Sequence, residues 1–235
     1  MKLGFGLLLV LSVCTVSSVV AQLLPANGLG GGTGTSLSDH QLIIEARKGL
    51  GEKSEEKIEG TEYLSEDFVA GDVITKKGIY KAVPMRYNVY KDYIEFKQKE
   101  GTFILDPGPD VHKVIFDTYS MVVGSYDAKG KTANGFFLLL DSGKVSLLEK
   151  KIVKFKAAEA PKAIETEGKP PRYEKSKDEF MYRLGTGPIT EVSSVKKLIE
   201  SLPDHQEEVS KFASKEKISK NEEELTKLVK YYNSL

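Results

Sequence analysis

Any chemistry in this chain would have to be built from three histidines, one cysteine and evenly mixed carboxylates and amines. Asp110 and His112 stand two residues apart, so on an extended segment they share one face. They are the only pairing that resembles half of a metal or acid–base site. Zinc asks for three or four ligands. Cys14 is the only cysteine, and His40 and His205 fall on segments that read as surface helices. The expectation is that Asp110 ends a turn after Pro109 and that His112 is an exposed strand residue. For a serine nucleophile, Gly124-Ser125 lacks the Gly-x-Ser-x-Gly spacing of a nucleophile elbow. Asp204 and His205 are adjacent and cannot orient one another as a triad requires. Gly28-x-Gly30 meets Thr33 where a dinucleotide fingerprint needs its third glycine, with no strand before it and no Gly-Lys-Ser/Thr after it. Paired carboxylates could serve a hydrolase of glycosides, yet no pair stands out from the rest. No catalytic residue, metal ligand or cofactor site is expected.

The tyrosines are the remaining candidates. Tyr87, Tyr90 and Tyr93, with Tyr80 nearby, cluster on predicted strands. An exposed aromatic patch there would mark a binding surface; ordinary core and cross-strand pairing accounts for the same spacing. With no tryptophan in the chain, a sugar-stacking platform would have to draw on the eleven tyrosines.

Export sets the context for all of these. Lys2, the apolar run Leu3 to Val13 and the small side chains up to Val19-Val20-Ala21 form the three parts of a cleavable signal peptide. Cleavage is expected between Ala21 and Gln22. Ser12, Thr15, Ser17 and Ser18 interrupt the run, whereas a spanning helix wants about 20 predominantly apolar residues. Leu11-Ser12-Val13-Cys14 resembles a lipobox, but Val13 is bulkier than the usual Gly or Ala, so lipidation at Cys14 is the lesser reading. Cleavage would remove Cys14, leaving a chain that must rely on its core rather than on disulfides. With Lys2 gone, 33 basic side chains face 34 acidic ones. That balance offers no bulk attraction for nucleic acid or an anionic membrane.

The elements that would position any site follow from periodicity. Residues 22 to 37, with five glycines between Asn27 and Ser36, read as a flexible tether. Ser38 and Gln41 form a capping box for a short helix from about Asp39 to Lys48, ended by Gly49 and Gly51. From Tyr63 to Phe155 the pattern turns to strand. Met85, Tyr87 and Val89 alternate, Ile94 and Phe96 resume after Lys91-Asp92, and Thr102 to Leu105, Val111 to Phe116 and Tyr119 to Val123 follow. Phe136 to Leu140 and Val145 to Leu148 flank Asp141-Ser142-Gly143-Lys144 as a hairpin, and Ile152 to Phe155 extends the last strand. Residues 157 to 178 read as a loop. Phe180 to Leu184 and Ile189 to Val192 form a final hairpin. Ser193 or Ser194 caps a first C-terminal helix, Val209 and Phe212 stripe a second, and Asn221 caps a third bearing Leu225, Leu228, Val229 and Tyr232. The fold class is therefore α+β: an antiparallel, curved sheet of about eight to ten strands with a short N-terminal helix and two or three C-terminal ones. Residues 38–235 read as one domain, β-rich over 60–192 and helical over 193–235.

The leader ending in Ala21-Gln22, Gly60-Thr-Glu-Tyr-Leu, Arg86-Tyr-Asn-Val-Tyr-Lys-Asp, Gly143-Lys144 and the closing Tyr231-Tyr-Asn together resemble uncharacterised secreted or cell-envelope proteins of the Bacteroidota. The resemblance implies a periplasmic or secreted location and assigns no functional residue. The expected role is a non-enzymatic binding or accessory module, with another envelope protein as its partner. A carrier or sensor of an apolar ligand, in a lipocalin-like or lipoprotein-carrier-like cavity, is the alternative, and a carboxylate-dependent hydrolase the last. No nucleic-acid partner is expected, and no transmembrane segment after cleavage.

Overall fold

The computed structural model describes residues 47–48, 58–99, 101–161 and 168–235. Among these described residues thirteen strands precede three helices: β1 (Arg47–Lys48), β2 (Val69–Thr75), β3 (Ile79–Asn88), β4 (Tyr93–Gln98), β5 (Gly101–Leu105), β6 (Val111–Ile115), β7 (Ser120–Asp127), β8 (Thr132–Asp141), β9 (Val145–Lys150), β10 (Val153–Lys156), β11 (Arg172–Lys175), β12 (Glu179–Leu184), β13 (Thr190–Glu191), α1 (Val195–Glu200), α2 (Gln206–Lys215) and α3 (Glu222–Ser234). Eleven strands make one sheet in the order β1-β5-β4-β3-β2-β6-β7-β8-β9-β12-β13, and β10-β11 is a separate ribbon. Every paired strand runs antiparallel to its neighbour. The fold is α+β, as the alternation implies. The main sheet has eleven strands because its edge strand β1 is two residues long, too short to leave a sequence pattern, whereas the other edge, β13, lies within the expected final hairpin.

The sheet is strongly curved. Tyr87 on β3 and Phe136 on β8 are four strands apart in the sheet order, a separation of roughly 19 Å if the sheet were flat. Their ring centroids lie 6.0 Å apart. The concave side between them is filled by Met85, Tyr87, Ile94, Phe96, Leu105, Val114, Met121 and Phe136, all buried. A bulge sets the phase of β3. Ala82 takes φ 53 and its N–H donates to Asp72 Oδ1 at 3.0 Å. The buried positions therefore pass from Tyr80 to Val83, Met85 and Tyr87, out of strict alternation.

Beyond β8 the same face is covered by the helices. Val145 and Leu147 of β9 and Phe180 of β12 pack against Leu198, Val209, Leu225, Leu228, Val229 and Tyr232. The caps are those the sequence offers: Ser194 Oγ accepts from Lys197 N, and Asn221 Oδ1 accepts from Glu224 N at 2.9 Å. Glu222 to Glu224 occupy the first turn of α3, where the helix dipole favours negative charge. On the opposite face, Val122, Phe137, Leu148, Met181 and Ile189 form another core. All six residues of β9 are buried because it is covered on both faces.

Three local readings change. Residues 39–46 of the expected N-terminal helix lie outside the described residues, as do the leader and the tether, and Arg47 and Lys48 pair with Ile104 and Phe103 of β5 as a strand. The stretch 157–178, read as loop, contains β11. Nor does Ile152 to Phe155 continue β9: Asp178 Oδ1 accepts from Ile152 N and its Oδ2 accepts from Lys151 Nζ at 2.9 Å. That carboxylate turns the chain out of the main sheet into the ribbon.

Candidate functional site

The face carrying Val122, Phe137, Leu148 and Met181 curls until Ile189, just before β13, meets β7. Ile189 N donates to Ser125 O at 2.9 Å and forms one parallel bridge with Tyr126. This closes no barrel, but it leaves a mouth where β7, β9 and β12 end. A cleft of about 870 Å³ opens there, lined by Tyr126, the Asp127–Gly130 turn, Lys150, Ile152, Glu179, Met181 and the Pro188–Glu191 segment. That volume falls within the ~300–1,000 Å³ of small-molecule sites, which favour the mouths of β-barrels.

One rim is rigid by construction. Ala128 N donates to Lys131 O at 2.7 Å and Lys131 N returns a bond to Ala128 O. Lys129 and Gly130 take φ 57 and 82. Two central residues of positive φ make the tight turn that matches strand twist, and Asp127 Oδ1 accepts from Gly130 N. The floor is rigid too. Gly124 and Gly135 face each other across β7 and β8. A Cβ on Gly124 would lie 2.4 Å from Ile189 Cδ1, and one on Gly135 2.8 Å from Lys150 Nζ and 3.0 Å from Asp92 Oδ2. Bare backbone at both positions admits the strap on one side and an ion pair on the other.

That ion pair is the electrostatic centre of the mouth. Lys150 Nζ donates to Asp92 Oδ2 at 2.5 Å and to Phe136 O at 3.1 Å. Phe136 N and Tyr87 Oη both donate to Asp92 Oδ1. Asp92, from the β3–β4 turn, and Lys150, from β9, thus satisfy both backbone groups of Phe136. Burial pulls the Lys150 ammonium below its ordinary value, against the opposing pull of Asp92. Burial also pushes the Tyr87 hydroxyl well up, with Asp92 adding to it. The Lys150 ammonium lies 4.9 Å from the Phe137 ring centroid and 5.5 Å from that of Tyr126. Glu179 stands directly across from Lys150 in the β9–β12 ladder.

A second polar cluster lies on the outer side of β3 and β4. Arg86 Nε donates to Glu95 Oε2 at 2.8 Å, while Tyr63 Oη and Tyr93 Oη both donate to Glu95 Oε1. Arg86 stacks 3.6 Å over the Tyr63 ring. Every group here is committed to holding the segment before β2 against the sheet.

The tyrosine candidates separate. Tyr87 and Tyr93, 1% and 5% exposed, are core residues and present no surface; strand alternation points Tyr87 into the concave side, and Tyr93 is drawn into the Glu95 cluster. Tyr90 is 42% exposed and meets Tyr173 of β11 at 5.2 Å. Tyr173 in turn meets Phe155 of β10 at 5.4 Å, and Phe155 is 40% exposed. An aromatic cluster therefore exists around Tyr90, with members that lay in segments read as loop or as a strand extension. His112 is exposed on β6 and Asp110 pairs with Lys76 at 3.2 Å. His205 opens α2 in a left-handed conformation, and Asp204 accepts from Tyr232 Oη at 2.6 Å. His40, Ala21 and Gln22 lie outside the described residues, within which no group of three or more His, Cys, Asp or Glu could hold a metal ion. None of the described helices is long and apolar enough to cross a membrane.

The mouth itself left little trace in the sequence. Lys129-Gly130 between two apolar strands was its one local signal; the pairing of Asp92 with Lys150 spans 58 positions and only the curl creates it. Comparison with family models, with characterised proteins and with solved structures gives no significant match.

Proposed function

We propose that this protein is an exported, non-enzymatic binding module of the cell envelope and that it engages its partner at the mouth formed by β7, β9 and β12. The observation that carries this reading is the rigid cleft over the Asp92–Lys150 pair, with buried Met181 and Ile189 in its lining and polar side chains at its rim. Its two charged groups at the base are spent on each other and on Phe136, so they serve as scaffold rather than as acid and base. The exposed rings of Tyr90 and Phe155, on either side of half-buried Tyr173, form a second surface suited to contact. The concave side, where a carried apolar ligand would sit, is occupied by Tyr87, Phe96, Phe136 and their neighbours, which weighs against the carrier reading.

The test is purification of the tagged protein from an envelope fraction, with sequencing of its N-terminus. A chain beginning at Gln22, with a stoichiometric partner that Tyr126→Ala releases, supports the proposal. An intact Met1 in the cytosol, or a co-purifying lipid in place of a partner, overturns it.

A further inference from the structure

We infer that the cleft at the mouth of the curl is a site for a neutral, hydroxyl-rich ligand, a glycan, held against Tyr126 and hydrogen-bonded by Glu179 and Lys129. This rests on the binding-module reading and names the ligand class of that site.

The charges at the cleft largely cancel internally. Asp92 is taken by Lys150, Asp127 by the Gly130 amide and Glu191 by Lys220 at 3.4 Å. Among the described residues that line the cleft this leaves two exposed groups without a hydrogen bond or ion pair, the Lys129 ammonium and the Glu179 carboxylate, the latter facing Lys150 across the β9–β12 ladder and acting on it through space. An anionic ligand would meet Glu179 and the carboxylates of Asp127 and Glu191. A cationic one would meet Lys129 and the Lys150 ammonium. A neutral ligand with hydroxyl groups gives Glu179 the donors it lacks and Lys129 the acceptors it lacks, at no Coulombic cost. An unmet polar group that becomes buried costs more than a bond gains, so a ligand that matches both is favoured.

The apolar part of the site fits the same class. Tyr126 is half-buried and stands edge-on to Phe137, at 5.2 Å and 85°. Its hydroxyl has no hydrogen-bond partner among the described residues. A pyranose presents axial C–H groups on one face and hydroxyls around its edge, so a ring laid on Tyr126 turns hydroxyls toward Glu179 and Thr190, which line the same cleft. The Lys150 ammonium stays with Asp92, Phe136 O and the rings of Phe137 and Tyr126, and serves as the floor beneath that ring. Rigid walls, the two-residue turn and the strapped Ile189, keep these groups in place without an ordering cost on binding.

The experiment is titration of the intact protein with neutral oligosaccharides (maltoheptaose, cellohexaose, mannohexaose and hexa-N-acetylchitohexaose), followed by calorimetry and amide NMR. Polygalacturonate and oligolysine serve as charged comparators. At least one neutral probe is expected to shift the amides of residues 126–130 and 188–191. Tyr126→Ala and Glu179→Gln should each weaken it about tenfold or more, while Lys211→Ala, on the exposed face of α2, leaves it unchanged. No shift from any neutral probe at millimolar concentration, or tighter binding of either charged comparator, overturns the inference. A partner captured from the envelope and released by Tyr126→Ala, in a protein that ignores every neutral probe, would leave the binding-module reading standing and remove the glycan.

Discussion

Asn233, in the last turn of α3, holds both backbone polar atoms of Val145, the first residue of β9. Its Oδ1 accepts from Val145 N at 2.9 Å, and its Nδ2 donates to Val145 O at 2.9 Å. The side-chain amide thus supplies the acceptor and donor that a neighbouring strand would. A further bond from Nδ2 to Asp141 Oδ2 fixes it to the other arm of the hairpin. The turn makes room for it, since a Cβ on Gly143 would lie 2.5 Å from Asn233 Cγ. Asn233→Ala should therefore cost about 1–3 kcal/mol, the penalty of leaving partly buried backbone groups unmet. Ser234→Ala one residue on, at an exposed site, should cost under about 0.5 kcal/mol. Urea denaturation of both variants checks this, and equal stabilities would show that the latch carries nothing.

The Asp92–Lys150 pair should behave as a coupled unit. Removing one partner strands the other in a mostly buried setting, so Asp92→Asn or Lys150→Met alone should each destabilise by about 3 kcal/mol. The double variant should cost clearly less than the sum of the two, and a double-mutant cycle measures the difference. Additive effects would mean that the two charges do not interact across the mouth.

Alkaline pH should unfold the protein through its tyrosines. Burial raises the hydroxyls of Tyr63, Tyr87, Tyr119, Tyr126, Tyr173 and Tyr232 above their ordinary 10.0, those of Tyr119 and Tyr232 to about 12. In this window the folded chain keeps protons that the unfolded chain releases, so stability falls as pH rises from 10 towards 12. Lys150, lowered by burial, works in the opposite direction just below 10.5, but it is one group against several. Chemical denaturation at pH 8, 9, 10 and 11 should give a flat stability that then declines. A stability that stays level or climbs through pH 11 would count against the burial of these hydroxyls.

Gly124→Ala and Gly135→Ala should part company in their effects. At Gly124 the new methyl group meets Ile189 Cδ1, a strap residue that can shift, so the expected result is a looser Pro188–Glu191 segment with faster amide exchange there. At Gly135 it presses on both members of the ion pair and on the Tyr126 ring, with overpacking of about 1–3 kcal/mol. Hydrogen exchange and thermal melts of the two variants separate the cases. Loss of stability at neither position would contradict the close approaches on this face.

Local order was legible wherever one residue and its near neighbours decide it. Alternation in Met85-Arg86-Tyr87 and Phe180 to Leu184, the Asp141–Lys144 turn and the caps Ser194 and Asn221 are choices of backbone and side chain within a few positions, and the chain adopts them. The α+β class followed because closely spaced strands leave no length for crossover helices. What the sequence could not carry was which strands meet after the sheet bends. Tyr87 and Tyr90 have the same side chain three residues apart, yet one is core and the other surface, because strand alternation turns Tyr87 into the curl while Tyr90 falls in the turn beyond β3. Asp92 and Lys150 carry no mark of each other, and Tyr173 lay in a stretch too short and too charged to read as strand. Curvature summed over many strands brings such residues together, and no window of sequence encodes that sum.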